Sequence, residues 1–165
     1  MIQKKLNITF EYDYDFFLIG ICCPLRCYQL CYHLNKINET SLYRCQTDLS
    51  MNGLNKNESG YFPIYEFWDE KYQNQWYLIS NKSEIICKEE EYKGTIFDGL
   101  IEKRKQLVYL IPENQKIDYY LQVHGIYGRE SKIQLLKKIN NHNRIVSAHE
   151  INVEELQSKE NLIIK

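Results

Sequence analysis

Ile117-Asp118-Tyr119-Tyr120-Leu121-Gln122-Val123-His124 is the cleanest strand pattern in the chain. Ile117, Tyr119, Leu121 and Val123 alternate with Asp118, Tyr120, Gln122 and His124, and successive strand side chains point to opposite faces. The spelling therefore predicts a strand with its first set on a core and the Asp118–His124 set on a solvated face. Gly125 and Gly128 break the pattern. Glu130 to Asn141 then reads as a helix with Ile133, Leu136 and Ile139 inward, and Ile145 to Ile151 as a returning strand.

The same order occurs earlier. Phe16 to Cys22 is continuously apolar, as expected of a strand covered on both faces. Pro24 sits where a first helical residue would, and Leu25 to Ile37 reads as a helix with Cys27, Leu30, Cys31, Leu34 and Asn38 along one stripe. Ser41 to Leu49 returns as a strand. No residue identities repeat between the halves, so the echo is architectural. Between them, the aromatic runs Tyr61–Trp68 and Gln75–Asn81 form a hairpin, followed by strands at Glu84–Cys87 and Gln106–Ile111. Leu6 to Tyr12 and Asn161 to Ile164 add strands at either end. Stretches near 50–60 and 89–104 lack periodicity and are expected as mobile surface excursions. The prediction is one α+β domain over residues 1–165. It is a two-layer sandwich of a mostly antiparallel sheet with two main helices on one face, ferredoxin-like topology being the leading specific arrangement.

Composition narrows the functional classes. With 44% hydrophobic and 26% charged residues, 165 residues suffice for a packed core. A net charge of −1 gives no general attraction to polyanions. Asn7, Thr9, Glu11, Asp13 and Asp15 interrupt every early apolar run, so no secretory signal is read, and the longest uncharged run is too short to span a bilayer. A cytoplasmic location is expected. The sequons at Asn7, Asn38, Asn57 and Asn81 then carry no meaning.

Catalytic and metal templates fail in turn. Cys23, Cys27 and Cys31 lie at i, i+4, i+8. On one helix the outer two would be about 12 Å apart, too far for one ion, so core packing is the better reading. His33, His124, His142 and His149 share no chelating spacing. His33 and His142 suit the negative ends of their helices. No nucleophile elbow or phosphate loop occurs, and neither a cofactor nor a metal is expected.

Two surfaces remain. Arg129, Lys132, Lys137, Lys138 and Arg144 gather around the second helix as candidate RNA contacts, although a helix with basic residues late needs no ligand to explain them. The hairpin is aromatic on both parities, making Tyr65, Phe67, Trp68 and Trp76 a candidate partner surface if one face stays uncovered. The first expectation is a non-enzymatic protein that interacts with another protein or regulates it, or a homo-oligomer. An RNA- or ribosome-associated factor is the alternative, and a small-molecule-sensing domain the third.

Ile111-Pro112-Glu113, followed by Ile117-Asp118-Tyr119, resembles the signature of the IPExxxVDY proteins of Bacteroidota, with Ile117 in place of Val. The likeness extends to the strand at Phe16, the helix with Leu30 and Leu34, Phe67-Trp68-Asp69-Glu70, and the C-terminal Ser158–Ile164. It implies family membership and no mechanism. For the motif it implies a turn fixed by Pro112 and tied down by Glu113 and Asp118 accepting backbone hydrogen bonds.

Overall fold

Ten strands and two helices form in a computed structural model that describes residues 12–52, 59–88, 103–125 and 128–164. The strands are Phe16–Cys22 (β1), Tyr43–Arg44 (β2), Leu49–Asn52 (β3), Ser59–Phe62 (β4), Ile64–Asp69 (β5), Asn74–Ser80 (β6), Lys82–Lys88 (β7), Lys103–Tyr109 (β8), Tyr119–His124 (β9) and Ser147–Ile151 (β10). The helices are Cys27–Asn38 (α1) and Arg129–Asn140 (α2). The predicted strand at Leu6–Tyr12 lies outside the described residues except for Tyr12, as do most of the two expected excursions.

The main sheet runs β10-β1-β9-β6-β5-β2, and every neighbouring pair is antiparallel. Taken as four strands flanking two helices, β1, β6, β9 and β10 lie in the order fourth, first, third, second. This is the ferredoxin-like arrangement, with β2 to β5 inserted between α1 and β6 and the β7–β8 hairpin placed before β9.

Both helices cover one face. Phe17, Ile19 and Ile21 of β1, Tyr119, Leu121 and Val123 of β9, and Trp76 and Leu78 of β6 pack there. Leu30, Cys31 and Leu34 of α1 and Leu135 and Ile139 of α2 close over them. The opposite face is buried as well over much of its width. Leu18, Ile64, Ile79 and Tyr120 pack against Phe62, Leu110, Ile111, Ile117, Val153, Leu156 and Leu162. The expectation of a solvated Asp118–His124 row is thus corrected: Tyr120 and Gln122 are fully buried, because the turns that flank the sheet fold back across it.

Other boundaries differ for local reasons. α1 begins at Cys27 rather than Leu25, since the Leu25 carbonyl is held by the Tyr119 hydroxyl at 2.5 Å. Pro63 splits the first aromatic run into β4, which pairs β3, and β5, which joins the main sheet. Asn161–Ile164 is no strand; Lys159–Leu162 forms a 3-10 turn. Lys103 and Arg104 belong to β8, not to an excursion. Ile133 is exposed, and Leu135 takes its place in the core.

The two halves share one device. Asn35, near the end of α1, accepts the Leu42 N–H at 2.8 Å and donates to the Leu42 carbonyl at 3.0 Å. Asn140, the last residue of α2, accepts the Ala148 N–H at 2.8 Å and donates to its carbonyl at 2.7 Å. Each clasp fixes the chain that returns from a helix. The second also occupies ladder groups of the edge strand β10, which would otherwise be open to pairing.

Candidate functional site

The Ile111–Tyr119 segment is a structural corner built around Asn81, which links β6 to β7. Asn81 is fully buried. Its amide nitrogen donates to the carbonyls of Asn114 (3.0 Å) and Ile117 (2.8 Å), and its Oδ1 accepts the Ile111 N–H at 2.9 Å. Its backbone N–H and carbonyl engage Asp118 and Leu110. Pro112 opens a 3-10 turn at Pro112–Asn114, where the fixed φ of proline fits a first helical position. Ile117 sits in a notch of β1: a Cβ added to Gly20 would lie 2.6 Å from its Cδ1.

The carboxylates act as backbone ties. Asp118 accepts the Cys23 N–H at 2.9 Å and the Lys82 ammonium, and that hydrogen bond raises the Lys82 pKa. Glu113 accepts the Ser158 N–H at 2.8 Å, joining the turn to the C-terminal segment. Partial burial works to raise the Glu113 pKa, but the backbone donors of Ser158, Glu113 and Gln157 outweigh it and lower it. Tyr119, pushed above its ordinary range mainly by burial, is locked to Leu25. These hydrogen bonds tie the corner to Cys23, to β7 and to the C-terminal segment.

Beyond this corner the far face opens. A row of cross-strand neighbours runs Trp68, Gln75, His124, Phe16. Ring contacts continue from Tyr77 to His124 (5.6 Å), His124 to Phe16 (4.9 Å), Phe16 to Tyr14 (6.2 Å) and Tyr14 to Tyr12 (5.1 Å). Burial lowers the His124 pKa, against a weaker opposing pull from Asp15. Its Nε2 meets Gln122 Oε1 at 3.1 Å, and Gln122 Nε2 donates to the Leu162 carbonyl at 3.0 Å, so His124 supplies the proton of the first bond.

The aromatic chain borders an open groove of about 1360 Å³. Its walls are Tyr12 and Tyr14, the segment 45–51 leading into β3, Ile64 and Glu66 of β5, and the C-terminal residues Glu154, Lys159, Glu160, Asn161, Ile163 and Ile164. Four carboxylates (Asp48, Glu66, Glu154, Glu160) face one ammonium, Lys159. Arg44 pairs with Asp48 and Lys159 with Glu154. Cys45, also in the wall, is pushed up to about 11 by burial and then by the charge of Glu66, so it is protonated at neutral pH.

Of the four candidate partner residues on the hairpin, Trp68 is exposed, and Tyr65 and Phe67 are half-buried against the helix-side core. Trp76 is 5% exposed and part of that core, which corrects its placement on a partner surface. The sequence located the aromatic strands but not which ring each face would hide. Arg129, Lys137, Lys138 and Arg144 are exposed, whereas Lys132 turns inward over the Phe17 ring at 4.7 Å. Lys137 and Lys138 diverge by ~100°, as successive helical residues must, so no single basic stripe forms. Cys23 precedes α1, so the three cysteines do not share a helix, and burial foremost holds Cys27 up at about 12. Among the described residues no group of histidines, cysteines and acids has the geometry to hold a metal ion, and no helix is long and apolar enough to cross a membrane. His33 and His142 meet across the helix ends with ring centroids 4.6 Å apart.

Sequence reasoning missed Asn81, Tyr43, Glu66 and the groove. Asn81 was visible only as a polar residue closing an apolar run. Tyr43 and Glu66 meet through a pairing of β2 with β5 that no local pattern encodes. Compared with models of known families, with curated proteins and with solved structures, the chain matches none.

Proposed function

We propose that the protein acts by binding another protein, without catalysis of its own, and that the far-face groove with its exposed aromatic rim is the contact surface. Its setting is the cytoplasm, and the Ile111–Tyr119 signature assigns it to the IPExxxVDY proteins as a folding element rather than a site. The observation that carries this reading is the size and openness of the groove. Small-ligand pockets enclose their ligands in ~300–1,000 Å³. At about 1360 Å³ and open to solvent, this groove suits a segment of polypeptide better than a metabolite. Tyr12, Tyr43 and Trp68, each at least 43% exposed, stand on or beside its rim, and Tyr and Trp are the residues that anchor protein interfaces. The acidic walls would repel a phosphate backbone, which disfavours RNA at this place.

Capture of partners from a native lysate tests the reading. Ser50→Trp, at an exposed position in the groove wall, should abolish capture, and Lys137→Glu on α2 should leave it intact. The opposite pattern would move the binding surface to α2 and favour the RNA-associated alternative.

A further inference from the structure

Among the described residues Glu66 has no lysine or arginine partner, in a place where its surroundings suit one. It lies directly between Tyr43 and Tyr77 on the two neighbouring strands, and such opposed residues share a face with Cβ atoms about 5 Å apart. Tyr43, exposed, donates its hydroxyl to Glu66 Oε1 at 3.0 Å, while Tyr77 is half-buried against the far-face core. Glu66 is itself half-buried in the groove wall. Among the described residues, no lysine or arginine pairs with it: Arg44 is engaged by Asp48, and Lys159 by Glu154. A partly desolvated carboxylate gains most from a cation, and the tyrosines opposite it on the two neighbouring strands stand within reach of the same group. The groove already holds one lysine in this manner, with the Lys159 ammonium 4.8 Å from the centre of the Tyr14 ring and bonded to Glu154.

Resting on the groove as a protein-binding surface, we infer that Glu66, set between Tyr43 and Tyr77, is the seat for a lysine or arginine side chain of an extended partner segment. The partner is basic because the groove is not: with one carboxylate taken by Lys159 and another by Arg44, two are left without a basic partner among the described residues. The segment is extended because the groove is large, open to solvent and walled in part by residues of the sheet, so that alternate side chains can enter while the others face water.

Fluorescence anisotropy with a short labelled peptide alternating lysine and threonine, and with the same peptide carrying glutamate at each lysine, tests the seat. The lysine peptide should bind with an affinity that falls as salt is raised, and the glutamate peptide should not bind. Glu66→Gln keeps the acceptor for Tyr43 and should weaken binding roughly tenfold. Tyr43→Ala, at an exposed position, should weaken it by a smaller factor. Matching thermal melts establish that both variants fold. Equal binding by Glu66→Gln and the native chain, or equal binding of both peptides, overturns the inference, and so does competition by spermidine as effective as by the peptide. Ser50→Trp separates the two levels. If it abolishes binding that Glu66→Gln leaves intact, the groove stands and the seat is wrong; if neither matters, both fall.

Discussion

Asn81 holds three backbone groups with its side chain alone, and all of them belong to the Ile111–Ile117 turn. In Asn81→Ala the Ile111 N–H and the Ile117 carbonyl would remain buried without partners, each costing ~1–3 kcal/mol. A loss of about 3 kcal/mol is expected, read as a lowered urea midpoint at unchanged slope. Glu113 gives a residue-scale pH prediction. Its folded pKa is lowered below 4.5, so its contribution is present above that value and lost as pH falls through the folded pKa. Urea melts should show the native chain ahead of Glu113→Gln at neutral pH and the gap closing below about pH 4.5. A gap independent of pH would show that the Ser158 contact contributes nothing electrostatic.

At the scale of elements, helices and returning chain are joined by the two asparagine clasps. Asn140→Ala should cost about 1–2 kcal/mol through its two lost hydrogen bonds. It should also free the Ala148 ladder groups of the edge strand, so light scattering is expected to reveal new self-association. Asn35→Ala should cost a similar amount without that association, because Leu42 precedes the edge strand β2 and contributes no ladder group to it. The helix ends give a second pH signal. Burial first, then His142, Arg144 and Lys36, lower the His33 pKa from 6.5. The unfolded chain therefore takes up the proton more readily, and stability falls as pH drops below that value. His33→Gln should lose less stability than the native chain across this interval, as urea midpoints on either side of pH 6.5 would report.

For the molecule as a whole, one residue from each strand of the aromatic hairpin separates folding from binding. Trp76 lies in the core between β6 and the helices, and Trp76→Ala should cost about 3–5 kcal/mol of stability. Trp68, on the open face, should change stability by no more than about 0.5 kcal/mol on truncation to alanine while reducing partner capture. Calorimetry and lysate capture on the same two variants check both statements.

Local pattern was enough for the α+β class, for the strand–helix–strand order of the second half, and for strands β1, β6 and β9, because alternation and helical stripes are properties of neighbouring residues. The returning strand expected at Ser41–Leu49 shrinks to the two residues of β2 at the sheet edge, and β6 lies beside β9 in its stead. It named Leu30, Cys31, Leu34 and Ile139 as inward-facing for the same reason. It could not foresee that the Tyr120–Gln122 face is buried, since Leu110, Ile117 and Leu162, which cover that face, come from distant turns. Nor could it separate Trp68 from Trp76, two aromatics on paired strands that the register assigns to opposite faces. Asn81 and Glu66 belong to the same class. Their side-chain hydrogen-bond partners lie 23 to 36 residues away, a separation over which sequence carries no periodic signal and only the folded chain decides who meets whom.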